Sequence, residues 1–208
     1  MKWIKFFTIN KIPYYIYKLN KEDSIVLSNI NNKDNKVTFI LSGIIYIKKV
    51  FSNKEILPIA ILNENNIFAI NNKEENIYYQ LSALKTTYIL TLGEYFLKKA
   101  NSKILLEINI LTTYQKTIEQ YQYMNMIMSQ KNILNRIIQI IFILCLKFGK
   151  VKNKNIVLPF KLSKQNIAIM AGTSENTVNK IMKKVYKGGI INELNKTSIS
   201  IKNIANLK

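Results

Sequence analysis

The chain has 208 residues, enough for one large or two small domains with a buried core. Lysine and arginine total 31 against 12 aspartates and glutamates, and the formal net charge of +19 favours an anionic partner, first nucleic acid and second an acidic membrane surface. With no histidine and a single cysteine, the composition excludes a disulfide framework, Cys/His metal, haem and iron–sulfur sites, and every nucleophile pair that depends on histidine.

The charge by itself does not identify the partner. Lysine, asparagine, isoleucine, tyrosine and phenylalanine are all abundant here, as in proteins encoded by AT-rich DNA, and Arg136 is the only arginine. The opening "MKWIKFFTI" is too short in its apolar part for a secretory signal, and the apolar run from Ile137 to Leu146 is shorter than the roughly 20 residues of a membrane span. We therefore expect an intracellular protein without a membrane segment.

The first half of the chain has the pattern of a small antiparallel β-sandwich or barrel. From Ser24 to about Thr91, short runs rich in β-branched and aromatic residues alternate with polar clusters that favour turns. The runs are "SIVLS", "KVTFILS", "IIYIKKVF", "EILPIAIL" and "TTYILTL". Gly43 lies between the second and third runs, where we expect a bulge or a tight bend.

Helices are predicted from Gly93 to Phe148, because this stretch has no proline and its apolar residues fall at helical intervals. Steps of three and four residues predict the seam of a two-helix coiled contact, made by Leu111, Tyr114, Ile118, Tyr121, Asn125 and Met128. An asparagine at a core position can pair with its twin and fix the register of a parallel dimer. The alternative is that these residues pack against the chain's own sandwich.

A second helix is predicted from about Ile133 to Phe148. It is apolar nearly all round, so we expect it to be buried, and Gly149 is a natural stop. A basic loop, "KVKNKN", and a short strand-like run, "IVLPF", follow it. We expect three parts: residues 1–100 as a β-roll, 101–131 as a long helix and 132–208 as a C-terminal domain.

Two short helices joined by a glycine-containing turn are predicted next. Ser163 can cap a helix from about Lys164 to Met170, Gly172 suits the turn, and Ser174 can cap the second helix. The expected shared core consists of Ile167, Ala168, Val178, Ile181, Met182 and Val185.

The opposite face of the second helix is polar and basic, which together with the turn is the helix-turn-helix pattern. After Gly188-Gly189, "IIN" and "SISIK" around a turn at Asn195-Lys196 predict a β-hairpin, or wing. The alternative is a helical hairpin in an ordinary core with a solvated lysine face.

The chain resembles the Crp/Fnr family of transcription regulators, and within it the global nitrogen regulators of cyanobacteria and their plastid-encoded relatives in red algae. The residues that carry the resemblance are "VTFILSGIIYIKKVF", "ILNENNIFAI", "NRIIQIIFILCLKFG" and "LSKQNIAIMAGTSENTVNKIMKKV". The resemblance implies an α+β chain with an N-terminal β-roll of the cyclic-nucleotide-binding jelly-roll type, a long dimerisation helix and a C-terminal winged helix-turn-helix.

The resemblance also implies a function. It implies a homodimer that binds double-stranded DNA at near-palindromic promoter sites, with half-sites one DNA turn apart, roughly 34 Å, and that acts on RNA polymerase. Nitrogen-related control in the plastid stroma, or otherwise in the cytoplasm, follows from the same resemblance. No enzymatic activity is expected, since acidic residues are few and pairs such as Glu22-Asp23 and Glu74-Glu75 lie in apparent turns.

The predicted DNA-binding residues depart from the family pattern. Family members carry an arginine near the start of the recognition helix that reads guanine, but Glu175 stands there and cannot donate to guanine, although it can accept from cytosine N4. Asn176 and Asn179 suit adenine, and Lys180 takes the place of a second family arginine, so we expect a site rich in A·T. The full predicted set is Lys164, Gln165, Ser174, Glu175, Asn176, Thr177, Asn179, Lys180 and Lys183, of which Lys164, Gln165 and Thr177 suit phosphate.

The predicted effector residues depart further. The nitrogen regulators sense 2-oxoglutarate, and the matching positions here are Phe68, Ala69, Ile70, Asn71, Asn76, Thr117 and Gln122. Asn76 and Thr117 stand where the family has arginines, so the bidentate clamp on the dicarboxylate is missing unless Lys73 or Lys85 replaces it. Phe68 and Ile70 are equally well explained as core residues, and no cofactor or metal is expected.

Two functions remain open from the sequence. The first is a sequence-specific regulatory dimer, and the second is a non-specific nucleoid or nucleic-acid-binding protein with a degenerate effector pocket. They differ in the ratio of specific to non-specific affinity for DNA.

Overall fold

A computed structural model of the chain describes residues 2–27, 36–69, 77–99, 110–189, 191–194 and 198–202. These residues form two compact units, Met1–Met124 and Asn125–Lys208. None of the helices in the described ranges combines the length and apolar character needed to cross a lipid bilayer.

The N-terminal unit is an antiparallel β-roll, as predicted. Its strands are β1 (Tyr15–Leu19), β2 (Ser24–Leu27), β3 (Lys36–Val50), β4 (Ile56–Asn63), β5 (Ile67–Ala69) and β6 (Tyr78–Gly93). They form one sheet in the order β1-β6-β3-β4, with β2 paired to β6 and β5 paired to β3. The helices of this half are α1 (Lys2–Ile9), α2 (Glu94–Lys99) and the long helix α3 (Ile110–Met128), which continues into the second unit.

The long strands β3 and β6 bend where Gly43 lies, which confirms the predicted irregularity. Gly43 has a φ of 105°, and the register between the two strands shifts on both sides of it. A side chain at this position would overlap Thr87, whose buried hydroxyl accepts a hydrogen bond from the Ile44 amide at 3.0 Å. The two apolar runs on either side of Gly43 are therefore one bent strand.

Helix α1 and strand β1 were not predicted from the sequence. Trp3 and Phe7 pack against Phe39 of β3, with ring centroids 4.5 and 5.4 Å from that ring, and all three side chains are buried. The helix has only eight residues. Its stability comes from tertiary packing rather than from a local signal that the sequence would show.

The C-terminal unit consists of four helical segments and a small sheet. It contains the last turn of α3, then α4 (Ile133–Phe148), β7 (Lys150–Lys152), β8 (Asn155–Val157), α5 (Lys164–Ala171), α6 (Glu175–Lys187), β9 (Ile191–Leu194) and β10 (Ser198–Ile201). The strands form an antiparallel sheet in the order β7-β8-β10-β9.

Two expectations for this unit were wrong. The stretch expected to be a basic loop is a β-hairpin, in which Asn153 and Lys154 both have positive φ angles, as the tight turn between β7 and β8 requires. Helix α4 is also not buried all round. Ile137, Ile140, Ile141, Leu144 and Cys145 form its buried face, whereas Leu146 is 70% exposed. The helix does stop at Gly149, in an extended conformation.

Candidate DNA-binding site

The two short helices α5 and α6 begin at serine caps, as predicted. The Ser163 hydroxyl accepts a hydrogen bond from the Asn166 amide at 3.0 Å, and the Ser174 hydroxyl accepts one from the Thr177 amide at 3.2 Å. Each bond satisfies one of the amides that a helix start leaves without an internal partner. The Ser174 and Thr177 hydroxyls also lie 2.9 Å apart, so both are engaged at the start of α6.

The turn between α5 and α6 is closed by Gly172. Its φ and ψ of 61° and 48° are left-handed, a conformation that glycine adopts without steric cost. The Thr173 amide donates to the Ala168 carbonyl at 2.9 Å, which completes the C-terminal cap of α5. Local hydrogen bonds therefore close the end of α5 at the turn from which α6 leaves.

The predicted core between the two helices is present. Ile167, Ala168, Val178 and Met182 are buried, and Ile181 and Val185 are half-buried. Met170 and Ala171 are buried too, although they were not among the predicted core residues. This packing holds α6 by one face and leaves the other free.

The free face of α6 carries the residues predicted to read DNA. Glu175, Asn176, Lys180 and Lys183 are exposed, and Asn179 and Thr177 are half-buried beside them. Lys164 and Gln165 are exposed in the first turn of α5. Among the described residues, Lys164, Lys180 and Lys183 form no salt bridge with an acidic side chain. The fold thus brings these predicted residues together on one short structural motif.

The wing, formed by β9 and β10, follows the helix-turn-helix in the chain. β9 pairs with β10 and β10 pairs with β8, and Ile191, Ile199 and Ile201 are buried beneath the sheet. The predicted turn at Asn195-Lys196 lies outside the described residues.

Four of the seven predicted effector residues, Phe68, Ala69, Thr117 and Gln122, lie in the described part of the chain, and none of these four carries a charge. Phe68 is buried in the core of the β-roll, Ala69 is exposed, and Gln122 is exposed on α3. Lys85 is exposed on β6. Four further predicted residues, Ile70, Asn71, Lys73 and Asn76, lie outside the described part of the chain.

Thr117 is only 2% exposed, and its hydroxyl is already engaged. It accepts a hydrogen bond from the Ile67 amide at 3.0 Å and donates one to the Thr113 carbonyl at 3.1 Å. Thr117, which stands where the family has an arginine, therefore joins α3 to β5 by a hydrogen bond.

Two tyrosines of α3, Tyr114 and Tyr121, stand on either side of Thr117 in the sequence. Burial raises the pKa of Tyr121 to about 12, with smaller contributions from Tyr79 and Tyr114. Burial, and then the charge of Glu94, raise the pKa of Tyr114 as well. Both hydroxyls are therefore neutral at physiological pH, and they supply no charge to a dicarboxylate.

The six residues of the predicted seam on α3 differ in their exposure. Leu111 and Ile118 are 70% and 51% exposed, and Asn125 is exposed as well. Tyr114 and Tyr121 pack against the two cores of the β-roll instead. Met128 is half-buried.

An antiparallel β-roll, a long helix and a winged helix-turn-helix whose recognition helix has a polar and basic free face define a class of protein. They are the parts of a DNA-binding transcription regulator.

Comparison with known proteins agrees with this class. Residues 135–208 match the Crp-like helix-turn-helix domain. The chain is 25% identical over 190 residues to a putative HTH-type transcriptional regulator, ycf28, of Porphyra purpurea, covering 88% of this chain and 76% of that protein. It is 24% identical over 152 residues to a global nitrogen regulator of Nostoc, covering 71% and 68%.

A solved structure shows the same fold along almost the whole chain. A CooA mutant from Carboxydothermus hydrogenoformans superimposes with a TM-score of 0.70 at 20% identity, over 93% of this chain and 86% of that one. The matched helix-turn-helix domain and the curated relatives support a transcription regulator of the Crp/Fnr type, and these relatives are regulators rather than enzymes.

Proposed function

We propose that this transcription regulator acts as a homodimer that binds near-palindromic, A·T-rich promoter sites through α6 and acts on RNA polymerase. The observation that carries the proposal is the free face of α6, where Asn176, Lys180 and Lys183 are exposed while Val178 and Met182 anchor the helix from behind. An amide side chain makes paired hydrogen bonds to adenine, and an unneutralised lysine donates to guanine or phosphate.

The functional division we propose is the one expected from the sequence: residues 1–100 as the effector-type roll, 101–131 as the dimerisation helix and 132–208 as the DNA-binding domain. In a dimer, the exposed Leu111, Ile118 and Asn125 of α3 lie seven residues apart and would meet their twins. The resemblance to global nitrogen regulators supports nitrogen-related control, and the composition and resemblance together support action in a plastid.

The binding preference can be measured by selecting sites from a pool of random duplexes with the wild-type protein. We expect an enriched sequence with two A·T-rich half-sites about one helical turn apart. Asn176→Ala combined with Lys180→Ala should weaken binding to that sequence by roughly 1–3 kcal/mol for each lost base contact. Lys116→Ala, which removes the same charge from an exposed position on α3, is the matched control.

The second candidate function is non-specific binding to nucleic acid, which Glu175 favours because it stands where the family has a guanine-reading arginine and a carboxylate cannot donate to guanine. If selection enriches no sequence, and affinity falls steeply with salt but not with sequence, the specific role is wrong and the non-specific one remains.

A further inference from the structure

Arg136 is the fourth residue of α4, and it is the only arginine in a chain with many lysines. Its Nε donates to the Gln130 carbonyl at 2.7 Å, in the linker between α3 and α4. Its Nη1 donates to the Ala171 carbonyl at 3.4 Å, at the end of α5. One guanidinium group therefore joins two segments that are 41 residues apart in the chain, counted from 130 to 171.

The contact between Arg136 and Ala171 lies at the turn between α5 and α6. Ala171 is the last residue of α5, and Gly172 begins the turn that leads to the Ser174 cap. A Cβ on Gly172 would lie 2.9 Å from the Met128 Cε and 3.7 Å from the Arg136 Nη1. The last residue of α3, the linker and the helix-turn-helix turn thus meet around Arg136.

The chemistry of the contact requires arginine. A guanidinium is planar, and its N–H groups point in fixed directions, so it can hold two carbonyls in a set relation. A lysine carries its donors on one nitrogen at the end of a flexible chain, and it would satisfy one carbonyl at a time. The positive charge also lies at the negative, C-terminal end of α5.

We propose that Arg136 is a positioning residue for DNA recognition, which fixes α6 by holding the Gln130 and Ala171 carbonyls together. It acts through the turn and contacts no base. Loss of the contact frees the turn and lets α6 leave it in more than one direction, while the lysines that attract phosphate stay in place. The inference deepens the proposed function and rests on it.

The test compares Arg136→Lys and Arg136→Gln with the wild type in the full-length protein. Binding is measured to the selected sequence and to a scrambled duplex, over a series of salt concentrations. For Arg136→Lys we expect about tenfold weaker binding to the selected sequence, with unchanged binding to scrambled DNA and an unchanged salt dependence, because the charge is kept.

Arg136→Gln removes the charge as well, so its matched control is Lys131→Gln at the exposed neighbouring position in the linker. Lys131→Gln should weaken binding to both duplexes by the same factor, whereas Arg136→Gln should lose additional affinity only for the selected sequence. Circular dichroism shows whether each variant is folded at the temperature of the binding measurement. A stoichiometric DNA titration gives the fraction of each protein that can bind. If Arg136→Gln does not fold, Arg136→Lys alone decides.

Two results would overturn the role of Arg136. Equal loss on both duplexes with a shallower salt dependence would show that Arg136 binds phosphate itself. A wild-type preference that both variants retain would show that the contact does not position α6. Absence of any preferred sequence for the wild type contradicts instead the proposed function on which this role depends.

Discussion

A single hydroxyl group satisfies two buried backbone groups where β5 meets α3. The Thr117 hydroxyl is the partner of the Ile67 amide and of the Thr113 carbonyl, and both Thr117 and Ile67 are almost fully buried. An N–H group that loses its partner in such a place has no water to replace it, so the cost of losing the hydroxyl exceeds the modest net value of the bond itself.

Thr117→Val should therefore destabilise the β-roll by about 1–3 kcal/mol, because valine keeps the shape but leaves the Ile67 amide without an acceptor. Thr117→Ser is the matched control, since it keeps the hydroxyl and removes one methyl group. Urea unfolding followed through Trp3, the only tryptophan, which is buried against β3, measures both variants. A valine variant as stable as the serine variant would show that the hydroxyl is not needed.

Among the elements, α5 and α6 followed the sequence most closely. Serine caps and glycine stops act within a few residues of their own position, so both helices begin where the caps predicted them. Elements whose stability depends on distant partners were missed or misjudged. Helix α1 packs on β3, and the stretch expected to be a basic loop forms β7 by pairing with β8.

Helix α3 has an exposed apolar row that the single chain leaves uncovered. Replacing Leu111 and Ile118 together by lysine should convert the proposed dimer to a monomer, because a dimer would bury four such side chains, each worth about 1.5 kcal/mol or more. We expect the dimer dissociation constant to rise at least about a hundredfold. Sedimentation equilibrium measures it.

Thr112→Ser with Glu119→Gln, at the neighbouring exposed positions of α3, is the control and should remain dimeric. A wild-type protein that sediments as a monomer, both free and on DNA, would contradict the dimer outright.

For the molecule as a whole, the surroundings of α3 bear on regulation. Thr117, which stands where the family has an arginine, is buried and joins α3 to β5. Tyr114 and Tyr121 on the same helix are neutral. Gln122, another predicted effector residue, is exposed. None of these side chains offers a dicarboxylate a cationic hydrogen-bond partner.

We therefore expect the affinity of the full-length protein for its selected DNA to change less than about twofold when 2-oxoglutarate is added, because a ligand shifts an equilibrium only by its differential affinity. Mobility shifts with and without the ligand, together with titration calorimetry, measure this. A tenfold or larger increase in affinity would contradict the expectation. If that increase is lost in Lys85→Gln, this lysine has replaced the family clamp.

The sequence alone determined the order of the parts, the helix-turn-helix and the identity of its free face, because caps, glycines and apolar periodicity act over a few residues. Tertiary structure decided which side of α3 is exposed. It also decided that Thr117 bonds to the Ile67 amide and that Arg136 joins the linker to the α5–α6 turn. Those outcomes depend on contacts between segments about 35 to 50 residues apart. No local pattern records them, since each partner is an ordinary backbone carbonyl or amide that every residue possesses.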